Sequence, residues 1–434
     1  MTRTLSSSIA SFAILSAALA GCSSQNSNQQ DVTIAKSAAA RVTDPVVSAA
    51  DSTTFASDNQ SFALAAYHKM AAVSDGNLVF SPASISIALA MTYAGAVGTT
   101  ASEMAAAMHY SLPPAQLHPA FDALDLALAS RGEGKLGTDG GPMRLHVVNA
   151  AWAERTYTFK PDYLDVLATS YGAGINLLDF KSAWESARVT INDWVAKQTE
   201  QKILDLLPEG TLSTDTRLVL TNAVYFNAAW KQAFDPQDTQ DGSFNLLDGG
   251  TVTTKFMGAT LASAPAMQGT GFVAVELPYQ DERLSMLVVV PDSGTFAAFE
   301  SALDGTALDA IIAGLTPQLV GLGLPRFKVE TSQSLEDLLQ ALGMTSAFIS
   351  GQADFSGMDG TQNLYISKVI HKAFIDVGEK GTEAAAATAV VMNDLGIALP
   401  SLNVYANRPF LYFLCDQPTG AILFMGRVLN PTQN

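Results

Sequence analysis

The chain has 434 residues, of which 48% are hydrophobic and 15% are charged, and its formal net charge is −17. A chain this long and this apolar can bury a sizeable core, and its composition is not that of a disordered protein. The negative charge argues against nucleic acid as a partner, because phosphates bind to basic surfaces.

The N-terminus has the pattern of a targeting signal. Arg3 precedes the apolar stretch IASFAILSAALA, which is too short to span a bilayer, and LAGC follows, ending at Cys22. This resembles the bacterial lipoprotein box, in which the Cys is lipidated and becomes the new N-terminus. An ordinary secretory signal with a chance Cys is the alternative. We predict a signal peptide over 1–21 and a membrane-anchored lipoprotein of the cell envelope.

Ser23 in the second position resembles the pattern for sorting to the outer membrane. Whether the protein faces the periplasm or the exterior remains open. The chain has two cysteines, so lipidation of Cys22 would leave Cys415 without a disulfide partner. Cys415 lies in the apolar run FLYFLCD, and we predict a buried, unreactive thiol there.

The composition changes near residue 57. Residues 22–56 are rich in Ser, Asn, Gln, Asp, Ala and Thr, which predicts a flexible tether. From 57 to 434 the pattern is globular, with no second linker and no internal repeat, so we predict a single domain.

The early half of this domain is rich in helix patterns. SPASISIALAMTYAGA is apolar nearly all round, which predicts a buried helix. WESARVTINDWVAKQTE has an apolar helical face. That face consists of Trp184, Ala187, Ile191, Trp194 and Val195. Strand patterns such as RLVLTNAVYF, LSMLVVVP and NLYISKVIHKAFIDV dominate the later half. Helices followed by many strands predict a mixed α+β fold.

Patterns typical of enzymes and metal sites are missing from the sequence. The five His residues are scattered, no HExxH is present, and no Cys pair has metal-ligand spacing. GEGKLG matches GxGxxG formally, but it follows a helical pattern rather than a strand, so a loop is the better interpretation. We therefore predict that the protein is not an enzyme and needs no cofactor or metal.

The stretch VGEKGTEAAAATAVVMNDLGIALP places four consecutive alanines between two strand patterns. At this segment the chain resembles a serpin, a serine-protease inhibitor. NLVFSPASISIALAMTYAGA, LVLTNAVYFNAAWKQAF, LPRFKVETSQSLEDLLQALGM, SKVIHKAFIDVGEKGTEA and NRPFLYFL match family blocks in the expected order. The resemblance covers essentially all of 57–434 and implies three β-sheets, eight or nine helices and an exposed reactive loop at about 379–400.

The resemblance also implies suicide-substrate inhibition of serine endopeptidases, with papain-like cysteine endopeptidases as a further option. The protease cleaves the loop and forms an acyl-enzyme, and the loop then inserts as a new strand into the central sheet. The small residues from Gly381 to Ala387 suit a strand that enters between two others, and no Pro interrupts the stretch from Gly381 to Ile397. A non-inhibitory serpin acting as a surface binding or carrier protein is the alternative function.

Individual residues carry over from the family motifs. The hinge comprises Glu379, Gly381, Thr382, Glu383, Ala384, Ala385, Ala386 and Ala387. Arg326 is implied as the ion-pair partner of Glu379, and Trp230 marks the breach, where insertion begins. The shutter, where the sheet parts, comprises Ser81, Ser84, Asn222 and His371.

Counting the usual family loop length from Glu379 places the reactive bond between Leu395 and Gly396. Met392, Asp394 and Ala398 remain open as alternatives. Leu before the bond suits chymotrypsin-like or elastase-like targets, and the absence of Arg and Lys from Gly381 to Asn407 argues against trypsin-like ones. We expect a monomer whose partners are the target protease and the membrane reached through Cys22.

Overall fold

The computed structural model describes residues 29–383 and 399–433. The helices are α1 (Ala49–Ala71), α2 (Pro82–Tyr93), α3 (Gly98–Ala107), α4 (Pro114–Ala129), α5 (Pro161–Tyr171), α6 (Phe180–Gln198), α7 (Phe296–Ala302), α8 (Gly305–Gly314), α9 (Glu336–Ala341) and α10 (Ser356–Asp359). The strands are β1 (Thr33–Ala35), β2 (Leu78–Phe80), β3 (Arg144–Glu154), β4 (Ile175–Leu178), β5 (Leu218–Ala229), β6 (Gln240–Asn245), β7 (Thr251–Gly269), β8 (Phe272–Pro278), β9 (Leu284–Pro291), β10 (Thr316–Pro325), β11 (Phe327–Ser334), β12 (Ile366–Gly378), β13 (Gly381–Thr382), β14 (Leu402–Tyr405), β15 (Phe410–Asp416) and β16 (Ala421–Val428).

A seven-stranded sheet forms the centre of the fold, in the order β1-β4-β3-β5-β13-β12-β11. Along most of their length β5 and β12 pair directly and in parallel, from Leu218 to Val224 on β5. Eleven of the twelve residues of β5 are buried, because both faces of the sheet are covered there. At the end of the sheet near Ala229, the two-residue strand β13 lies between β5 and β12.

The other strands form a nine-stranded array, in the order β14-β10-β7-β8-β9-β15-β16-β2, with β6 paired to β7. The long strand β7 joins two parts of this array, because its first residues pair with β6 and its last residues with β8. The array therefore accounts for two of the three sheets that the sequence led us to expect, joined through β7. The mixed α+β prediction is confirmed.

The main core lies between the two sheets and contains α2. The side chains of α2 are buried at eleven of its twelve positions, from Pro82 to Thr92, as its all-round apolar sequence predicts. A second apolar cluster lies beneath α6, where Ile191 and Val195 pack against residues of the central sheet. Trp184 departs from the predicted α6 face: its side chain is 39% exposed, because the helix is kinked at Ala183 just before it.

The segment that precedes α1 differs from the predicted flexible tether. Thr33–Ala35 adds β1 to the edge of the central sheet through antiparallel pairing with β4. Arg41 forms an ion pair with Asp122 of α4, and α1 begins at Ala49. For residues 29–56 the tether prediction is therefore wrong, because polar contacts that leave no apolar pattern in the sequence hold this segment. Among the described residues, none of the helices has both the length and the apolar character needed to span a membrane.

Candidate functional site

Two of the predicted hinge residues, Gly381 and Thr382, form β13 and lie between β5 and β12 of the central sheet. Gly381 pairs with Ala229 of β5 and with Gly378 of β12, and Thr382 pairs with Ala228 and Val377 in the same way. A Cβ atom at Gly381 would lie 2.0 Å from the carbonyl oxygen of Ala228, so only glycine fits where the strand enters. The central sheet thus already holds the start of an additional strand.

Thr382 is the last residue of β13, and its side chain is fully buried. Its hydroxyl lies 2.6 Å from the hydroxyl of Tyr279, either of which can donate the hydrogen bond. The side chain of Thr382 therefore faces the core. Tyr279 was not identified from the sequence, because it follows a different strand and reaches the hinge only through the fold.

Trp230, the predicted breach residue, lies against the same tyrosine. The rings of Trp230 and Tyr279 stack with their centroids 4.4 Å apart. The indole Nε1 of Trp230 donates to the carbonyl of Gly378, and its backbone N–H donates to the carbonyl of Lys380. Trp230 therefore fixes the tight turn that joins β12 to β13.

The predicted ion pair between Glu379 and Arg326 is present beside this turn. Arg326 donates from both Nε, at 2.8 Å, and Nη2, at 2.5 Å, to the Oε1 atom of Glu379. The hydroxyl of Thr239 donates to the same oxygen at 2.6 Å. Burial raises the pKa of the Glu379 carboxyl, but these hydrogen bonds outweigh it and leave that pKa below its ordinary value.

Glu383 follows the last residue of β13, and its backbone N–H donates to the carbonyl of Asp376 in β12. Its φ is +64°, a left-handed conformation that is unfavourable for glutamate. Its carboxylate forms an ion pair with Lys202 and accepts a hydrogen bond from Asn227 at 3.2 Å. Lys202 and Asn227 lie in other segments, so their partnership with the hinge left no signal in the sequence. These contacts hold Glu383 in place directly after Thr382, the last residue of β13.

The four predicted shutter residues lie together midway along the central sheet. Asn222 on β5 stands opposite His371 on β12. Its Oδ1 atom lies 2.5 Å from Nδ1 of His371, and its Nδ2 donates to the hydroxyl of Ser84. The N–H of Ser81 donates to Nε2 of His371 at 3.2 Å, so Nε2 is unprotonated and Nδ1 carries the hydrogen.

Burial lowers the pKa of His371 to about 3, which keeps the imidazole neutral. Asn149 on β3 completes the cluster, since its Oδ1 accepts from Nδ2 of Asn222 at 2.5 Å. The sequence did not identify Asn149. Together these side chains tie α2 to β3, β5 and β12 across the line where the sheet would have to part.

Several predicted residues lie outside the described residues. They are Ala384, Ala385, Ala386, Ala387, Leu395, Gly396 and Cys22. Cys415 is described and is only partly buried, unlike the predicted buried thiol, although desolvation raises the pKa of this thiol to about 12 and so disfavours the reactive thiolate. Within 29–383 and 399–433, no group of His, Cys, Asp and Glu side chains has an arrangement that could hold a metal ion.

Comparison with known proteins identifies the family to which this fold and hinge belong. The family model described as serpin, serine protease inhibitor, matches residues 57–431. The chain is a serpin. The family is described as one of serine protease inhibitors, so this serpin is not an enzyme. Its family membership agrees with the resemblance seen in the sequence.

Its relatives include a named inhibitor and a named binding protein. The human leukocyte elastase inhibitor is 36% identical over 364 residues, covering 82% of this chain and 93% of that protein. Tengpin, a thermophilic serpin solved in its native state, aligns with a TM-score of 0.79 at 27% identity, covering 90% of this chain and 97% of tengpin. Human thyroxine-binding globulin in complex with thyroxine aligns with a TM-score of 0.78 at 28% identity, covering 88% of this chain and 100% of the globulin.

Proposed function

We propose that this serpin inhibits serine endopeptidases by suicide-substrate trapping, through insertion of its cleaved loop into the central sheet. The position of Gly381 and Thr382 between β5 and β12 carries this proposal, because the two residues already make the first strand pairings of an inserted strand. The serine hydroxyl of the protease attacks the carbonyl carbon before the reactive bond. The amine of the next residue then leaves, and an ester links the two proteins.

The ester must be carried away before water hydrolyses it. A strand from Thr382 to Leu395 would span roughly 46 Å at about 3.3 Å per residue. It would separate β5 from β12 below Ala228 and replace their direct pairing with two new ladders. At about 1 kcal/mol for each net hydrogen bond, insertion contributes on the order of 10 kcal/mol, which is comparable to the stability of a protease domain.

Small side chains along the leading part of the loop support inhibition over a passive role. Ala384 to Ala387 follow Thr382, and a central strand must fit between the faces that cover the sheet. Glu383 is the only charged residue among Gly381 to Ala387. In the alternating pattern of a strand Glu383 takes the outer face, so no charge need be buried during the first steps.

We place the reactive bond between Leu395 and Gly396. The relationship to the leukocyte elastase inhibitor supports an elastase-like or chymotrypsin-like target, since Leu is an apolar residue of the kind such proteases accept. Papain-like cysteine proteases are a further target class, because a thioester formed by their thiolate would be trapped in the same manner.

We further propose that the protein acts from the cell envelope, anchored at the outer membrane by lipid on Cys22. The LAGC pattern after a short apolar stretch supports this location. Metabolic labelling with a radioactive fatty acid tests it: label should enter the native chain but not a Cys22→Ala variant.

The similarity to thyroxine-binding globulin favours one second candidate, a carrier for a small apolar ligand. A carrier need not trap a protease. Mixing the protein with proteases therefore distinguishes a carrier from an inhibitor. The deciding experiment mixes the protein with chymotrypsin, pancreatic elastase, trypsin and papain, and analyses each mixture on a denaturing gel.

Trapping predicts a denaturant-resistant band at the summed mass and a released fragment that begins at Gly396. Cleavage of the loop without such a band, together with an unchanged melting temperature of the cleaved protein, would rule out trapping by insertion. Cleavage without a band but with a large rise in melting temperature would mean that insertion occurs too slowly to trap these proteases.

A further inference from the structure

The helix α6 covers the line along which the loop would insert. Beneath α6 and the segment that follows it, one apolar cluster contains Val219 and Ala223 of β5 together with Ile370 of β12. A new strand would move β5 and β12 apart by about 4.8 Å, the spacing of neighbouring strands. Because the cluster packs against both strands, α6 has to shift whenever the loop inserts.

The N-terminal segment holds α6 at several points. The backbone N–H of Gln30 donates to the hydroxyl of Thr190 at 2.8 Å, in the middle of α6. The side-chain amide of Gln30 donates to the carbonyl of Ala183 at 2.7 Å and accepts from the N–H of Asp179 at 2.7 Å. Gln29 adds a hydrogen bond to Asp193.

The kink in α6 explains why a glutamine can bind there. Ala183 has φ −142° and ψ 41°, which are not helical values. A non-helical residue interrupts the helical hydrogen bonds around it, and its carbonyl needs another donor. The amide of Gln30 supplies that donor and also contacts the residue before the helix, so it bridges the two sides of the kink.

The same segment is fastened to parts of the fold that need not move. Thr33–Ala35 pairs with β4 at the sheet edge, and the hydroxyl of Ser37 donates to the carboxylate of Asp165 in α5. Arg41 donates to Asp122 at 2.8 Å and to Asp125 at 2.6 Å in α4. The Asp122 side chain is 1% exposed, so loss of Arg41 would leave a buried carboxylate without its cation.

We propose that residues 29–41 form a strap that holds α6 against the central sheet and thereby sets the rate of loop insertion. This inference rests on the proposed function, because it concerns the same insertion step. Its physical basis is that one end of the strap is fixed to α4, α5 and β4, and the other end is bonded to the helix that must move. Weakening the strap lowers the cost of shifting α6, and insertion becomes faster.

The variant Gln30→Ala tests the strap without touching the hinge or the shutter. Gln60→Ala is the matched control: the side-chain amide of Gln60 also donates a hydrogen bond, to the carboxylate of Asp309 at 2.8 Å, but this contact joins α1 to α8. Two quantities are measured on the full chain: the rate of spontaneous loop insertion on warming, seen as loss of cleavable loop, and hydrogen exchange of the α6 amides.

We expect Gln30→Ala to insert about fivefold faster or more, as one lost hydrogen bond of ordinary strength would produce, and to exchange its α6 amides faster. The control should behave as the wild type does. Thr190→Val removes the acceptor on the helix side and should change both quantities in the same direction. Equal insertion rates in Gln30→Ala and Gln60→Ala would overturn the strap, whatever the exchange shows.

The trapping assay keeps this result separate from the proposed function. If the wild type traps protease and Gln30→Ala does not alter the insertion rate, only the strap is wrong. If the wild-type loop never inserts, either after cleavage or on warming, the proposed function fails and the strap fails with it.

Discussion

The hydroxyl of Thr382 lies 2.6 Å from the hydroxyl of Tyr279, within the breach and beneath the ring of Trp230. This contact joins the last residue of β13 to the residue that follows β8. Thr382 is completely buried from solvent. Its position, the second in β13, therefore tolerates a small, uncharged side chain that can reach Tyr279.

Replacing Thr382 with arginine should convert the inhibitor into a substrate. A guanidinium at this position would have to be buried without a partner, which is costly in a low-dielectric interior. Insertion would slow and the ester would hydrolyse first. Denaturing gels should show complete cleavage of the loop and loss of the summed-mass band.

Thr382→Ser is the matched control, because serine keeps the hydroxyl opposite Tyr279. It should still form the complex. A Thr382→Arg variant that traps protease as well as the control would contradict the insertion mechanism.

The ion pair between Arg326 and Glu379 should contribute measurably to stability despite the exposure of the arginine. Among the side chains of the described residues, Arg326→Ala leaves Thr239 as the remaining donor to the carboxylate of Glu379, a residue that is 7% exposed. An unpaired, buried carboxylate costs a few kcal/mol, so we expect the free energy of unfolding to fall by about 2 kcal/mol. Urea denaturation of the uncleaved protein measures the change.

A second variant distinguishes charge from packing at this site. Glu379→Gln in the Arg326→Ala background removes the buried charge and should recover part of the loss. If the double variant were no more stable than Arg326→Ala, an unpaired carboxylate could not be the cause.

The motifs in the sequence identified the parts of the site that lie on single strands or in their turns. Glu379, Trp230 and His371 fall in such blocks, and the structure places each beside a partner from another block. Tyr279 and Lys202 were missed, because a partner supplied by a distant segment leaves no local periodicity or spacing.

Contacts with distant segments also explain why the tether prediction was incorrect. Sequence patterns reveal burial through regular apolar positions, whereas residues 29–41 are held by hydrogen bonds, a three-residue edge strand and the ion pairs of Arg41. A polar composition does predict exposure, and β1 is indeed exposed at two of its three positions. It does not predict that the segment is detached.

His371 should make stability depend on pH in a defined direction. Its pKa is lowered to about 3 in the fold by burial, against an ordinary value of 6.5, so the unfolded chain binds a proton that the folded chain does not between these two values. The contribution of His371 to the free energy of unfolding is therefore fully present above pH 6.5 and is lost as the pH falls toward 3. From pH 7.5 to pH 5 the loss from this group is about 2 kcal/mol.

His118 adds a contribution of the same sign, because burial lowers its pKa to about 4. Urea midpoints of the wild type and of His371→Gln at pH 7.5 and pH 5 separate the two residues. The variant should lose about 2 kcal/mol less than the wild type over this interval. An identical loss in both proteins would show that His371 is not held neutral in the shutter.

The residue before the reactive bond should determine which protease is trapped. Leu395→Arg supplies the side chain that trypsin-like enzymes bind, and it should redirect trapping from chymotrypsin to trypsin while leaving the hinge untouched. We expect the second-order rate of inhibition to rise at least about a hundredfold for trypsin, which corresponds to about 2.7 kcal/mol of activation free energy. The matched variant Met392→Arg should not produce this switch, since Met392 lies three residues before Leu395, the residue that precedes the proposed bond. If Met392→Arg acquired trypsin trapping instead, with the released fragment beginning at Asn393, the bond would lie after Met392, and the strand inserted up to the ester would be three residues shorter.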